Sequence, residues 1–123
     1  MNLVHTTCFP AIGALDQWSR FDWRNGLQMD GLDPLETLEV QTRNTTYEIS
    51  VMDARIGEVL VRGGSFFPVY THARLAGASL AGSFLKVGGI YVGFCMEFQS
   101  AAGAIVTTRV RRICVLKSDV PPS

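Results

Sequence analysis

A small antiparallel β-barrel is the fold this sequence predicts, and three observations predict it. Apolar and polar residues alternate with period two in several short runs, most clearly at Leu38–Gln41, Tyr47–Val51 and Ile90–Phe98. Short turn segments separate most of the runs. Glycines in the expected fourth and fifth strands, Gly77 and Gly93, fall where tight bends of a curved sheet need them. About six strands with one apolar face each bury those faces by closing, or half closing, into a barrel. A two-layer β-sandwich is the alternative architecture.

The domain organisation follows from where alternation begins. Residues 1–34 show none of it; they hold both tryptophans, Trp18 and Trp23, and turn residues such as Gly26, Gly31 and Pro34. They read as an N-terminal arm, partly irregular or a short helix with Ile12, Leu15 and Trp18 on one face, packing Trp18, Phe21 and Trp23 on the rest. Residues 35–117 form the β-barrel domain, and 118–123, ending in two prolines and a serine, form a disordered tail.

Within the barrel domain each element has its own pattern. With Asn44-Thr45 as a two-residue turn, Val40 falls opposite Ile49 and Leu38 opposite Val51. Every apolar side chain then meets a partner on one face. A second turn at 53–57 pairs Val51 with Val59 and Ile49 with Val61, and sets Glu48 against Arg62 outside. Gly63-Gly64-Ser65-Phe66-Phe67-Pro68 breaks the chain, with both phenylalanines returning to the core. A fourth strand is expected at about 71–78, a loop at 82–89 carrying Phe84, Leu85 and Lys86, a fifth strand at about 90–99 and a sixth at about 104–116. In the sixth, Val106, Thr108 and Val110 are followed out of phase by Ile113 and Val115, so a β-bulge is expected at Arg111-Arg112.

Size and charge bound the function. A chain of 123 residues is one domain's worth and buries enough surface to fold without a staple. Net charge is zero and the isoelectric point about 6.7, which argues against bulk attraction to nucleic acid or an anionic membrane. Charged residues are only 18 %, below the usual quarter, and mean hydropathy is +0.19, so some apolar surface is expected to be covered by a partner or a second copy. Cys8, Cys95 and Cys114 are odd in number and widely spaced, which reads as free buried thiols in a reducing cytoplasm. The first residues have no basic or long apolar region of a signal peptide. Leu75–Met96 carries a single charge, Lys86, but its glycines and the cost of a central charge, about 2.5–3.5 kcal/mol, weigh against a membrane span.

Three segments also carry a likeness. Thr42–Ile49, Gly63–Pro68 and Gly82–Gly88 resemble a group of uncharacterised bacterial small β-domain proteins with no established activity. The likeness covers 38–113, leaves out the arm, implies a bacterial and cytoplasmic origin, and transfers no catalytic residue.

Chemistry-bearing residues are sparse. His5 and His72 stand alone, without the close set of ligands a metal requires, so no metal and no cofactor are expected. No nucleophile motif, phosphate loop or carboxylate pair stands out, and no catalytic residue is expected. Asn44-Thr45-Thr46 reads as turn chemistry rather than a glycosylation site. The strongest local feature is Arg109-Val110-Arg111-Arg112, with Arg43 and Asn44 on a neighbouring turn; it suits a phosphate or single-stranded nucleic acid, or guards a sheet edge. Phe66, Phe67 and Tyr70 are candidate lining of a small-ligand pocket. The leading expectation is a non-enzymatic interaction or regulatory module that associates with itself or another protein. The alternatives are a nucleic-acid-binding barrel using the arginines and a small-ligand binder.

Overall fold

Most of the alternating runs become strands that turn their apolar side chains to the core. The structure, a computed structural model, describes residues 4–9, 25–80 and 83–118. The strands are β1 (Val4–Phe9), β2 (Gly26–Gln28), β3 (Thr37–Thr42), β4 (Thr46–Asp53), β5 (Glu58–Gly63), β6 (Phe67–Leu80), β7 (Ser83–Val87), β8 (Gly89–Tyr91), β9 (Cys95–Ser100) and β10 (Gly103–Ser118), with a 3₁₀ turn at Met29–Gly31.

Six of them close a ring of antiparallel ladders. β3 pairs with β4, β4 with β5, β5 with β6, β6 with β9, β9 with β10, and β10 returns to β3. β1 and β7 extend this sheet as edges, on β10 and β6 respectively, and β2 with β8 makes a separate small sheet. The ring interior is filled by inward side chains from every strand, among them Leu38, Ile49, Val59, Leu75, Phe98 and Ile113. Phe67 anchors the packing edge-on to Tyr47 (6.4 Å between ring centroids) and to Phe98 (5.4 Å).

Most registers follow the apolar pattern. Val51 faces Val59, Ile49 faces Val61 and Glu48 faces Arg62, as the sequence predicts. The bulge expected at Arg111 is present, between Val110 and Arg112. The first hairpin differs: Leu38 faces Ile49 and Val40 faces Tyr47, and Thr42 donates its N–H to the Thr45 carbonyl at 2.8 Å. The turn is therefore Arg43-Asn44, one residue earlier than expected. This slides the register by two, which keeps every side chain on its face, so the pattern alone could not choose.

Three other expectations are corrected. The 82–89 loop contains a strand, β7, admitted beside β6 because Gly77 (φ +151) lets the Lys86 carbonyl approach where a Cβ would collide. The expected fifth strand is split into β8 and β9 by a turn at Val92–Phe94. Of the two phenylalanines expected in the core, Phe67 is buried but Phe66 faces solvent.

In the N-terminal arm, where it is described, β1 joins the large sheet and β2 the small one, and residues 29–34 are a 3₁₀ turn followed by irregular backbone. The expected helix around residues 12–18, the packing of Trp18, Phe21 and Trp23, and the 119–123 tail lie outside the described residues. Cys114 is disulfide-bonded, and Cys8 stands opposite it in the β1–β10 ladder, while Cys95 is a free buried thiol. The expectation of free thiols throughout is thus corrected, and with it goes the cysteine argument for a reducing compartment. Leu75–Met96 runs through the end of β6, β7, β8 and the start of β9; among the described residues no helix is long and apolar enough to cross a membrane.

Adjacent phenylalanines test this packing directly. Phe67→Ala should cost about 3–5 kcal/mol in urea unfolding, as for a large core truncation. Phe66→Ala should change stability by less than about 0.5 kcal/mol.

Candidate functional site

Two strands are long enough to change partners along one edge. β10 pairs on one side first with β9, through Arg109, and then with β1, from Ile113. The gap between is sealed: Val110 donates to the Phe94 carbonyl and accepts from the Gly93 N–H, each at 2.8 Å. Arg109 adds a guanidinium hydrogen bond to the Gly93 carbonyl at 3.1 Å.

On β6 the corresponding gap stays open. One edge pairs with β5 up to Arg74 and with β7 from Gly77 onward. Between them the backbone is satisfied, because Leu75 donates to the Gly57 carbonyl (2.8 Å) and Ala76 accepts from the Gly88 N–H (2.9 Å). The two neighbours nevertheless diverge. Gly57 permits the contact, since its φ of +72 and its closeness to the Leu75 carbonyl (2.6 Å from an added Cβ) exclude a side chain.

The result is a cleft of about 510 Å³ with Leu75 and Ala76 as its floor. The β4–β5 turn, Ala54–Gly57, forms one wall; Leu85, Val87 and Gly88 form the other; Gln28–Asp30 close an end. A second hollow of about 380 Å³ continues past Ile56 and Arg74 to Glu58, His72 and Gln99.

The walls combine exposed apolar groups with cations. Ile56 is 54 % exposed and Val87 73 %, unusual for side chains facing a concavity rather than a core. Arg74 lies between the two hollows and has no ion-pair partner among the described residues. Arg55 is tethered: its backbone N–H donates to Asp53 Oδ1 at 3.1 Å and its guanidinium pairs with Asp53 at 3.4 Å. That hydrogen bonding holds the Asp53 carboxyl below its ordinary pKa. His72 Nε2 sits 2.9 Å from Glu58 Oε2 at the far end. Among the described residues no three His, Cys, Asp or Glu side chains are grouped to hold a metal ion.

The sequence-expected residues fall elsewhere. Arg43 and Asn44 form the exposed β3–β4 turn. One step beyond the Val110–Thr42 pair, Arg43 and Arg109 flank the end of that ladder, with Arg111 exposed on the bulge. Arg112 is exposed opposite Gln41 and already has a partner. The β5–β6 turn carrying Phe66 packs on the same region, since Gly64 lies against Thr45. Phe67 is in the core, packed against Tyr47 and Phe98. Tyr70 faces outward: the Arg62 guanidinium lies 4.6 Å from its ring centroid, and its hydroxyl donates to Glu48 Oε2 at 3.1 Å.

Sequence reasoning missed the cleft because its walls come from a turn, a supposed loop and a β6 edge. Leu85 and Val87, two apart, were the available sign of a strand there. Compared with known protein families, curated proteins and solved structures, the chain matches none.

The Glu48–Arg62–Tyr70 cluster generates a pH prediction. Hydrogen bonds from Arg62 and then Tyr70 hold the Glu48 carboxyl below its ordinary pKa. A lowered folded-state pKa contributes stability above the usual carboxylate range, and that stability is lost as pH falls through the lowered value. For this exposed pair the contribution is at most about 1 kcal/mol. Glu48→Gln should therefore be less stable than wild type near neutrality by that order, and the two should converge in acid, in unfolding titrations across pH.

Proposed function

We propose that this protein is a non-enzymatic interaction module whose cleft between β5 and β7 accepts a segment of another chain bearing apolar and acidic side chains. One observation carries the reading: Ile56, Leu85 and Val87 are left exposed around a concavity that also holds Arg74, which has no ion-pair partner among the described residues. Apolar walls favour burial of aliphatic groups at about 25 cal/mol per Å² removed from water. A guanidinium on the rim favours a carboxylate and selects its position. Among the described residues the neighbouring strand β7 is also an edge of the sheet, a place suited to strand addition.

A labelled peptide alternating leucine and glutamate is the direct probe. Titrated into isotope-labelled protein, it should shift amide signals of Ile56, Arg74, Leu85 and Val87, and Arg74→Glu should weaken binding by about tenfold or more, the order of 1.4 kcal/mol for a charge-assisted contact. Shifts confined to other faces, or none at millimolar peptide, would sink the proposal.

The arginine region supports a second reading, a single-stranded nucleic acid surface. Its specific observation is the gathering of Arg43, Arg109 and Arg111 at one end of the ring, near exposed Phe66. Phosphates favour such cations, and bases stack on exposed aromatics. Fluorescence anisotropy with labelled oligo-dT should then show binding that weakens steeply with salt. An Arg43→Ala/Arg111→Ala variant should lower the salt slope by about 1–2. Salt-independent or absent binding at low ionic strength would remove this reading.

A further inference from the structure

The segment that leads away from the cleft carries an apolar side chain held largely in solvent. Leu35 is 74 % exposed and takes a φ of +67, the only positive value of a non-glycine among the described residues. That conformation is unfavourable for a leucine and free for a glycine, and it persists only where the surroundings impose it. The surroundings here are backbone hydrogen bonds. Leu35 donates to the Val51 carbonyl at 2.7 Å, and Val51 donates back to the Glu36 carbonyl at 2.9 Å. Asp33 donates its N–H to Glu36 Oε1 at 2.7 Å, which fixes the turn before it. The leucine is thus a rigid projecting knob, with the exposed carboxylate of Asp33 beside it.

Its position relative to the cleft is set by the chain. Asp30 is on the cleft rim, and five residues reach at most about 18 Å, so Leu35 lies within that distance of the rim. On the other side, Val51, which holds Leu35, is three residues before Ala54 in the cleft wall. An apolar knob flanked by an acid, next to an apolar cleft flanked by an arginine with no ion-pair partner among the described residues, is a self-complementary surface of the kind a two-fold dimer needs.

We infer that a second copy of this chain occupies the cleft, in a two-fold dimer in which Leu35 of each protomer enters between Ile56 and Val87 of the other, with Asp33 meeting Arg74. The inference rests on the cleft being an interaction site, and it names the occupant. Each contact occurs twice, so a single change is felt at two places.

Sedimentation equilibrium across a concentration series tests it. Wild type should dimerise reversibly. Leu35→Gly keeps the backbone conformation and removes the knob, so it should weaken the dimer by about a hundredfold, tenfold at each of two contacts, with thermal stability unchanged or raised. Asp33→Arg and Arg74→Asp should each weaken it, and the double variant should recover most of the loss. A wild type that stays monomeric at the highest concentration reached, a dimer indifferent to Leu35→Gly, or a double variant no better than the singles would overturn the inference. A monomer that still binds the leucine–glutamate peptide at Val87 would leave the cleft reading standing. A monomer that ignores the peptide would remove both.

Discussion

Every strand edge in a closed ring must find hydrogen-bond partners, and here two long strands carry that requirement for the whole fold. β6 and β10 are each longer than any single neighbour, so each is flanked by different strands along its length. Where a long strand changes partner, its backbone groups must be satisfied by something other than the ladder just ended. The β8–β9 turn performs this at Val110, and Gly57 and Gly88 perform it at Leu75 and Ala76. Closure of the ring, placement of the two edge strands and the existence of the cleft all follow from how those two junctions are resolved.

The junctions differ because of what is available beside them. At Val110 the Gly93–Phe94 backbone simply continues the line of β9, and the Arg109 side chain closes over it. Beside β6 the two candidates approach from opposite directions: a tight turn from β5 and the end of β7. Glycines at 57 and 77 allow both to come close to the β6 backbone, but the side chains around them splay. A cleft is the geometric consequence. The outer surface elsewhere is managed by ordinary means. Glu39 and Glu48 face each other across β3 and β4, a like-charge pair that alone would repel. Arg62 on β5 engages Glu48 from the other side, and Tyr70 braces both partners.

Legibility in the sequence tracked the range of the interactions involved. The β4–β5 ladder was readable to the residue because alternation on both strands and a charged pair agreed on one register. The bulge at Arg111 was readable because the apolar phase slips within one run. The first hairpin was readable only in its facing, since a two-residue slide costs the pattern nothing and neither Arg43 nor Asn44 carries the positive φ that would have marked the turn. Strand β7 and the β1–β10 ladder were not readable. The first depends on a glycine in β6 that makes room for it, and the second brings together residues from the two ends of the chain. The disulfide at Cys114 belongs with the second case: only the ladder places Cys8 opposite it. The arginines were rightly seen as a surface feature. Their neighbour Phe67 was not separable by sequence from Phe66, because one residue decides which face of the chain a side chain takes.

The cleft and the segment beside it are where local rules are broken together. Ile56, Leu85 and Val87 are exposed, and Leu35 sits in a backbone conformation that leucine avoids. Folding alone gives no reason for any of these choices: glycine at 35 would relieve the backbone, and polar residues at 56 and 87 would protect a sheet edge from unwanted pairing. One violation would be unremarkable in a natural protein. Several side by side, with an apolar knob and an acid on one segment and an apolar hollow and a cation beside it, are the observations on which the proposed interaction rests. In the arginine region the exposed cations on a bulge and a turn violate no folding rule, and Phe66 is the one exposed apolar side chain that the second reading uses there. That contrast is the physical reason for ranking the cleft above it.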